Sequence, residues 1–134
     1  MGTRSLTYIY NGTKADIGKP MVCMYRQFDG YPSGHGQELA EFLLSGRLVN
    51  GISGMGKVRQ FNGMGCLAAQ LVSELKDGAG NIYLFAPELG QDCWQEYEYH
   101  VWEDVVRITD TQNTLFEGSW EEFEAFCFSP AEIE

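Results

Sequence analysis

The sequence predicts an α+β domain in which a mostly antiparallel sheet of five or six strands is covered by about three helices. Three observations carry that expectation. Short β-rich segments bounded by Gly, Asn, Asp and Pro recur along the chain. Two stretches place apolar residues at helical spacing, and a third opens on a capping-box pair. The 134 residues, 44% of them hydrophobic, suit one domain over residues 1–134 with a core of its own.

The first strand is read from "SLTYIYNGTK", which runs from β-rich residues into Asn11-Gly12, and "KPMVCMYRQ" returns as its antiparallel partner. After the turn "FDGYPSGHG", "QELAEFLLSG" spaces Leu39, Phe42 and Leu43 as a helix and stops at Gly46, a C′ residue. Residues 45–65 carry six glycines without a sustained period and are expected to form a long mobile loop. Asn62 is placed to cap a second helix whose face holds Met64, Leu67, Ala68, Leu71 and Leu75 and which ends at "KDGAGN". "IYLFAP" reads as a short buried strand. "EYEYHVWE" alternates Tyr97, Tyr99 and Val101 against Glu96, Glu98, His100 and Trp102, the pattern of a half-exposed strand. "VVRITD" and "TLFEGS" continue a meander, and Ser119 with Glu122 caps a last helix that stops near Pro130.

Charge divides the chain. Residues 1–70 hold seven Lys/Arg against four Asp/Glu, a net +3, whereas residues 71–134 hold two against fifteen, a net −13. A chain this acidic does not bind duplex nucleic acid through its whole surface, because that affinity comes from neutralising phosphates. Cys23, Cys66, Cys93 and Cys127 stand singly, which fits reduced thiols rather than a disulfide or zinc framework. The N-terminus has no apolar segment of signal-peptide type, so a cytoplasmic protein with no membrane partner is expected, and no cofactor or metal is implied.

The richest polar chemistry lies in "MYRQFDGYPSGHG", residues 24–36. A helix start preceded by small residues offers unsatisfied N–H groups and the positive end of a dipole. Ser33, Gly34, His35 and Gly36 would supply these donors, Arg26 a forked guanidinium, and Gln27 and Asp29 further polar contacts, while Tyr25 or Tyr31 could stack on a ring. Arg4 opens the strand expected to pair with the one carrying Arg26, so both cations are expected near one sheet edge. The plain alternative is an ordinary turn with His35 solvated, and for Arg4 an exposed chain end.

Residues 51–58, "GISGMGKV", match G-x-x-x-x-G-K but lack the following Ser/Thr and the strand-to-helix setting of a phosphate loop. A flexible basic lid carrying Lys57 and Arg59 is the expectation there. Asn62, Gly63 and Gly65 mark a second helix start able to face an anion, or glycines allowing close packing.

The leading functional reading is a non-enzymatic binder of a phosphorylated small molecule or nucleotide. Two others remain open: a small hydrolase or phosphodiesterase using His35 as acid/base with Asp29 and Arg26, and an acidic inhibitor of a host protein. The last would use Glu96, Glu98, Glu121 and Glu122 with Tyr97, Tyr99, Trp102 and Trp120 as anchors.

Through "GTRSLT", "MYRQFDGYPSGHG", "NGMGC", "EYEYHV" and "LFEGS", the chain resembles a family of uncharacterised small proteins of bacteriophage and metagenomic viral sequences, with looser relatives in giant viruses. These blocks span nearly the whole chain in order. The resemblance implies a viral setting in bacterial cytoplasm, where accessory proteins alter host metabolism or blunt host defence, and carries no activity with it.

Overall fold

The computed structural model describes residues 2–16, 18–51 and 58–129. In chain order it has β1 (Ser5–Tyr10), β2 (Pro20–Arg26), a π-helical turn (Pro32–Gly36) running into α1 (Gln37–Leu44), β3 (Gly46–Val49) and β4 (Arg59–Asn62). The second half contributes α2 (Gly63–Leu75), β5 (Ile82–Phe85), β6 (Tyr97–Val101), β7 (Val106–Thr109), β8 (Thr114–Gly118) and α3 (Trp120–Cys127). Six strands form one sheet in the order β5-β2-β1-β6-β7-β8. All its pairings are antiparallel except β1 with β6. The expected α+β architecture is the observed one, with a parallel seam at its centre.

Strand alternation sets the layers. Ile9, Met24, Tyr99, Val101, Val106 and Ile108 face the helices and pack with Leu39, Leu43, Leu67, Leu71 and Phe123 as the main core. Leu6, Tyr8, Tyr10, Cys23 and Trp102 form a second, smaller cluster on the opposite face. Every residue of β1 is buried, as a central strand covered on both sides requires.

That second cluster corrects the half-exposed reading of β6. His100 and Trp102 are buried, because the rings of Tyr8, His100, Tyr10 and Trp102 stack in a row across the face expected to meet solvent. β5 is likewise corrected: it is one of the sheet's two edge strands, and its Tyr83 and Leu84 are exposed rather than buried.

Residues 45–65 are not one loop. β3 and β4 pair in parallel as a separate two-stranded sheet. Gly46 serves that pairing rather than a left-handed helix end, since a Cβ there would lie 2.7 Å from the Arg59 carbonyl oxygen. At α3 the capping box is present: Ser119 Oγ accepts the Glu122 N–H at 3.1 Å and Glu122 Oε1 accepts the Ser119 N–H at 2.8 Å.

Candidate functional site

The turn after β2 is built as a lock between β1, β6, α1 and α3. Arg26, buried at the end of β2, donates from Nη1 and Nη2 to the two oxygens of Glu38 at 3.1 Å and from Nε to the Phe28 carbonyl at 2.7 Å. Its Nη1 also lies 3.3 Å from His35 Nδ1. Because a guanidinium only donates, Nδ1 is the unprotonated nitrogen, and His35 Nε2–H donates to Thr7 Oγ1 at 2.7 Å. His35 has no exposed surface, and burial, reinforced by the neighbouring Arg26 charge, lowers its pKa to about 3. It is a neutral imidazole held edge-on against Tyr99, whose hydroxyl donates to the Gly30 carbonyl at 2.7 Å.

The glycines of the motif are explained by space. A Cβ on Gly34 would sit 2.5 Å from the Asp29 carbonyl oxygen, one on Gly30 2.7 Å from Ser5 Cβ, and one on Gly36 2.8 Å from Cys127 Sγ. Asp29 takes a left-handed backbone, φ 60°, and its side chain accepts from the Tyr31 hydroxyl at 3.1 Å. Gln37 Nε2 donates to the Cys127 carbonyl.

These contacts correct the expected anion site. The N–H groups of Gly34 and Gly36 donate to the Tyr31 carbonyl and that of His35 to the Asp29 carbonyl, so the helix start has no free donors at these positions. Nor is His35 solvated, as the plain reading had it. Ser33 alone among residues 32–36 is exposed. Arg4 and Arg26 do not converge: Arg26 pairs with Ser5 in register and shares its face, while Arg4, one residue earlier, lies on the other side of the sheet. Tyr25 also faces that other side, stacked on Tyr83 and Phe85, and Gln27 donates its N–H to the Asn81 carbonyl.

Residues 52–57 of "GISGMGKV", Lys57 among them, lie outside the described residues; the next element in the chain is strand β4, not the helix a phosphate loop needs. Arg59 is no lid residue, for it pairs with Glu74 at 3.1 Å and lies over the Phe42 ring. Asn62 does not cap α2, because its Oδ1 accepts the Gly51 N–H. Gly63 has φ 82°, and neither it nor Gly65 has a heavy atom within 4 Å of a built Cβ, so close packing does not account for them. In the acidic half Tyr99 and Trp102 are buried and Glu122 is spent on its capping box, so half of the expected aromatic anchors are core residues.

Sequence reasoning missed the segment between β5 and β6. Trp94 is 80% exposed, the most exposed large apolar residue among those described. It has φ 59°, a left-handed conformation rarely adopted by a residue of this bulk. The loop holds it there by its own bonds. Trp94 N–H donates to Asp92 Oδ1, Cys93 N–H to Gln95 Oε1, Gln95 Nε2 to the Gln91 carbonyl, and Gln91 Nε2 to the Ala86 carbonyl. The Glu96 N–H then ties the loop to the Arg4 carbonyl at 2.9 Å. Arg4 itself lies over the indole, 5.8 Å from its centroid, and has no carboxylate within salt-bridge distance among the described residues. A lone Trp in the polar run "GQDCWQEY", two residues after an Asp able to close an Asx turn, was the available signal.

Comparisons of the chain with protein-family models, curated proteins and solved structures find no match. Among the described residues no helix is long and apolar enough to cross a membrane, and no three His, Cys, Asp or Glu side chains are grouped to hold a metal ion.

Proposed function

We propose that the protein is a non-enzymatic binding module for a small phosphorylated ligand with a planar ring, of the nucleotide type, and that its contact point is the Trp94 loop with Arg4. One observation carries this reading. An indole left four-fifths in solvent, on a strained backbone fixed by an internally bonded loop, is costly to folding and is best understood as kept for a partner. Stacking of a ring on an aromatic side chain contributes about 1–3 kcal/mol, and the Arg4 guanidinium adds a donor fork for an anion.

The hydrolase alternative finds less support, since a sealed neutral His35 reaches no substrate. A protein partner for the acidic half keeps Glu96 and Glu121 on the surface but loses Tyr99 and Trp102 as anchors. The viral accessory role, including evasion of host defence, rests on the family resemblance and is part of the proposal.

The test is the indole N–H resonance of Trp94 in a ¹H–¹⁵N spectrum during titration with adenosine 5′-monophosphate. Movement of that signal, with those of buried Trp102 and half-buried Trp120 unmoved, is expected, and Arg4→Ala should weaken it. A titration that leaves all three unchanged contradicts the reading.

A further inference from the structure

We infer that the Trp94 site selects a single ring bearing one negative charge over polyphosphates and polynucleotide strands, an inference that rests on the proposed binding function. The chemistry is that of a phosphodiester-bearing nucleoside unit. Two features of the surroundings set it.

The first is charge. Arg4 is the one cation over the indole among the described residues, and the chain on either side of Trp94 is rich in carboxylates. Asp92 and Glu96 are exposed, two residues to either side of Trp94, and Glu98 follows at the start of β6. Asp92 cannot turn away, because its Oδ1 holds the Trp94 N–H at 3.1 Å. Glu98 is bonded to Gln95 and His100 and kept below the usual carboxylate range, chiefly by the His100 bond, so it stays ionised. A ligand with one charge pairs with Arg4, and each further phosphate adds repulsion from these nearby carboxylates, Asp92 first among them.

The second is the number of ring faces. Single-strand binders present successive aromatic platforms. Here no ring contact joins Trp94 to another aromatic among the described residues. Of the other exposed aromatics, Phe28, Tyr83 and Phe128, Tyr83 already has Tyr25 stacked on it and Lys76 Nζ 5.4 Å from its centroid. Lys76 is in turn fixed by bonds to the Gly80 and Ile82 carbonyls. Trp94 is therefore a solitary station with a free face.

Quenching of Trp94 fluorescence on the full chain tests this with adenosine, adenosine 3′,5′-cyclic monophosphate, adenosine 5′-monophosphate, adenosine triphosphate and a single-stranded oligo(dA). The cyclic monophosphate should bind tightest and the triphosphate about threefold to tenfold more weakly at low salt, a gap that added salt narrows. Oligo(dA) should bind no better per nucleotide than the monophosphate, which separates a free nucleotide from a strand as the source. Asp92→Asn, which keeps the acceptor for the Trp94 N–H, combined with Glu96→Gln should close the gap. Affinity rising with phosphate number or strand length overturns the inference while leaving Trp94 as the contact. No quenching by any probe overturns it together with the binding reading.

Discussion

His35 shows how a residue that looks catalytic in sequence becomes structural once its surroundings are known. Its folded pKa of about 3 lies below the ordinary value of 6.5, so between those values the unfolded chain binds the proton that the folded one refuses. Stability is then complete above about pH 6.5 and falls as pH drops through the window, by up to about 1.4 kcal/mol per pH unit. Urea unfolding at pH 7 and pH 5 should show that loss in the native sequence and much less of it in His35→Gln; an unchanged difference would contradict the buried neutral imidazole. The glycines divide in the same way. Gly34→Ala drives a Cβ into the Asp29 carbonyl and should cost about 1–3 kcal/mol. Gly65→Ala, in an exposed helical position with open space around it, should stabilise by about 0.4–1 kcal/mol. Denaturation midpoints of the two variants moving in the same direction would refute this assignment.

At the scale of elements, the ends are where local chemistry decides. Ser119→Ala removes the cap of α3 and should lower stability by about 1 kcal/mol, read from the same urea curves; no change would mean that packing of Phe123 and Cys127 alone holds the helix. The β5 edge is guarded by a comparable device. In the β2–β5 register the backbone groups of Ile82 and Leu84 point outward, as the Gln27 to Asn81 bond indicates. Those of Ile82 are already taken by Gly80 and Lys76. Lys76→Ala should therefore open the edge and raise self-association in sedimentation measurements, whereas an unchanged sedimentation profile would show that Lys76 is not the guard. Such elements were legible in sequence where the signal is local: the Ser119/Glu122 pair, the helical spacing of Leu67, Leu71 and Leu75, and the alternating residues of β6. What was not legible depends on partners distant in the chain. Nothing in "EYEYHVWE" says that β6 lies parallel beside β1, and this placement is what buries His100 between Tyr8 and Tyr10. The Gly-rich run gave no period because β3 and β4 are four residues each and pair with one another.

Across the whole molecule, polar chemistry is divided between two jobs. The turn at residues 24–36 spends Arg26 and His35 on α1 and β1 and receives Tyr99 of β6 at the Gly30 carbonyl, and Gln37 just after it reaches α3, so its density in the sequence reports a structural junction. The face across the sheet carries Arg4 and, on its self-bonded loop, Trp94, whose one mark in the sequence is a lone Trp in a polar run, a signal that periodicity does not register. Binding and stability should consequently separate by mutation. The most direct measurement is the ligand-induced shift in melting temperature with adenosine 3′,5′-cyclic monophosphate, taken on the native sequence, Trp94→Ala and Arg26→Lys. Trp94→Ala should melt close to the native temperature and show no shift, while Arg26→Lys, which breaks the bidentate pair with Glu38, should melt lower and keep the native shift. A shift that survives Trp94→Ala but vanishes in Arg26→Lys would return the binding site to the turn and contradict the account.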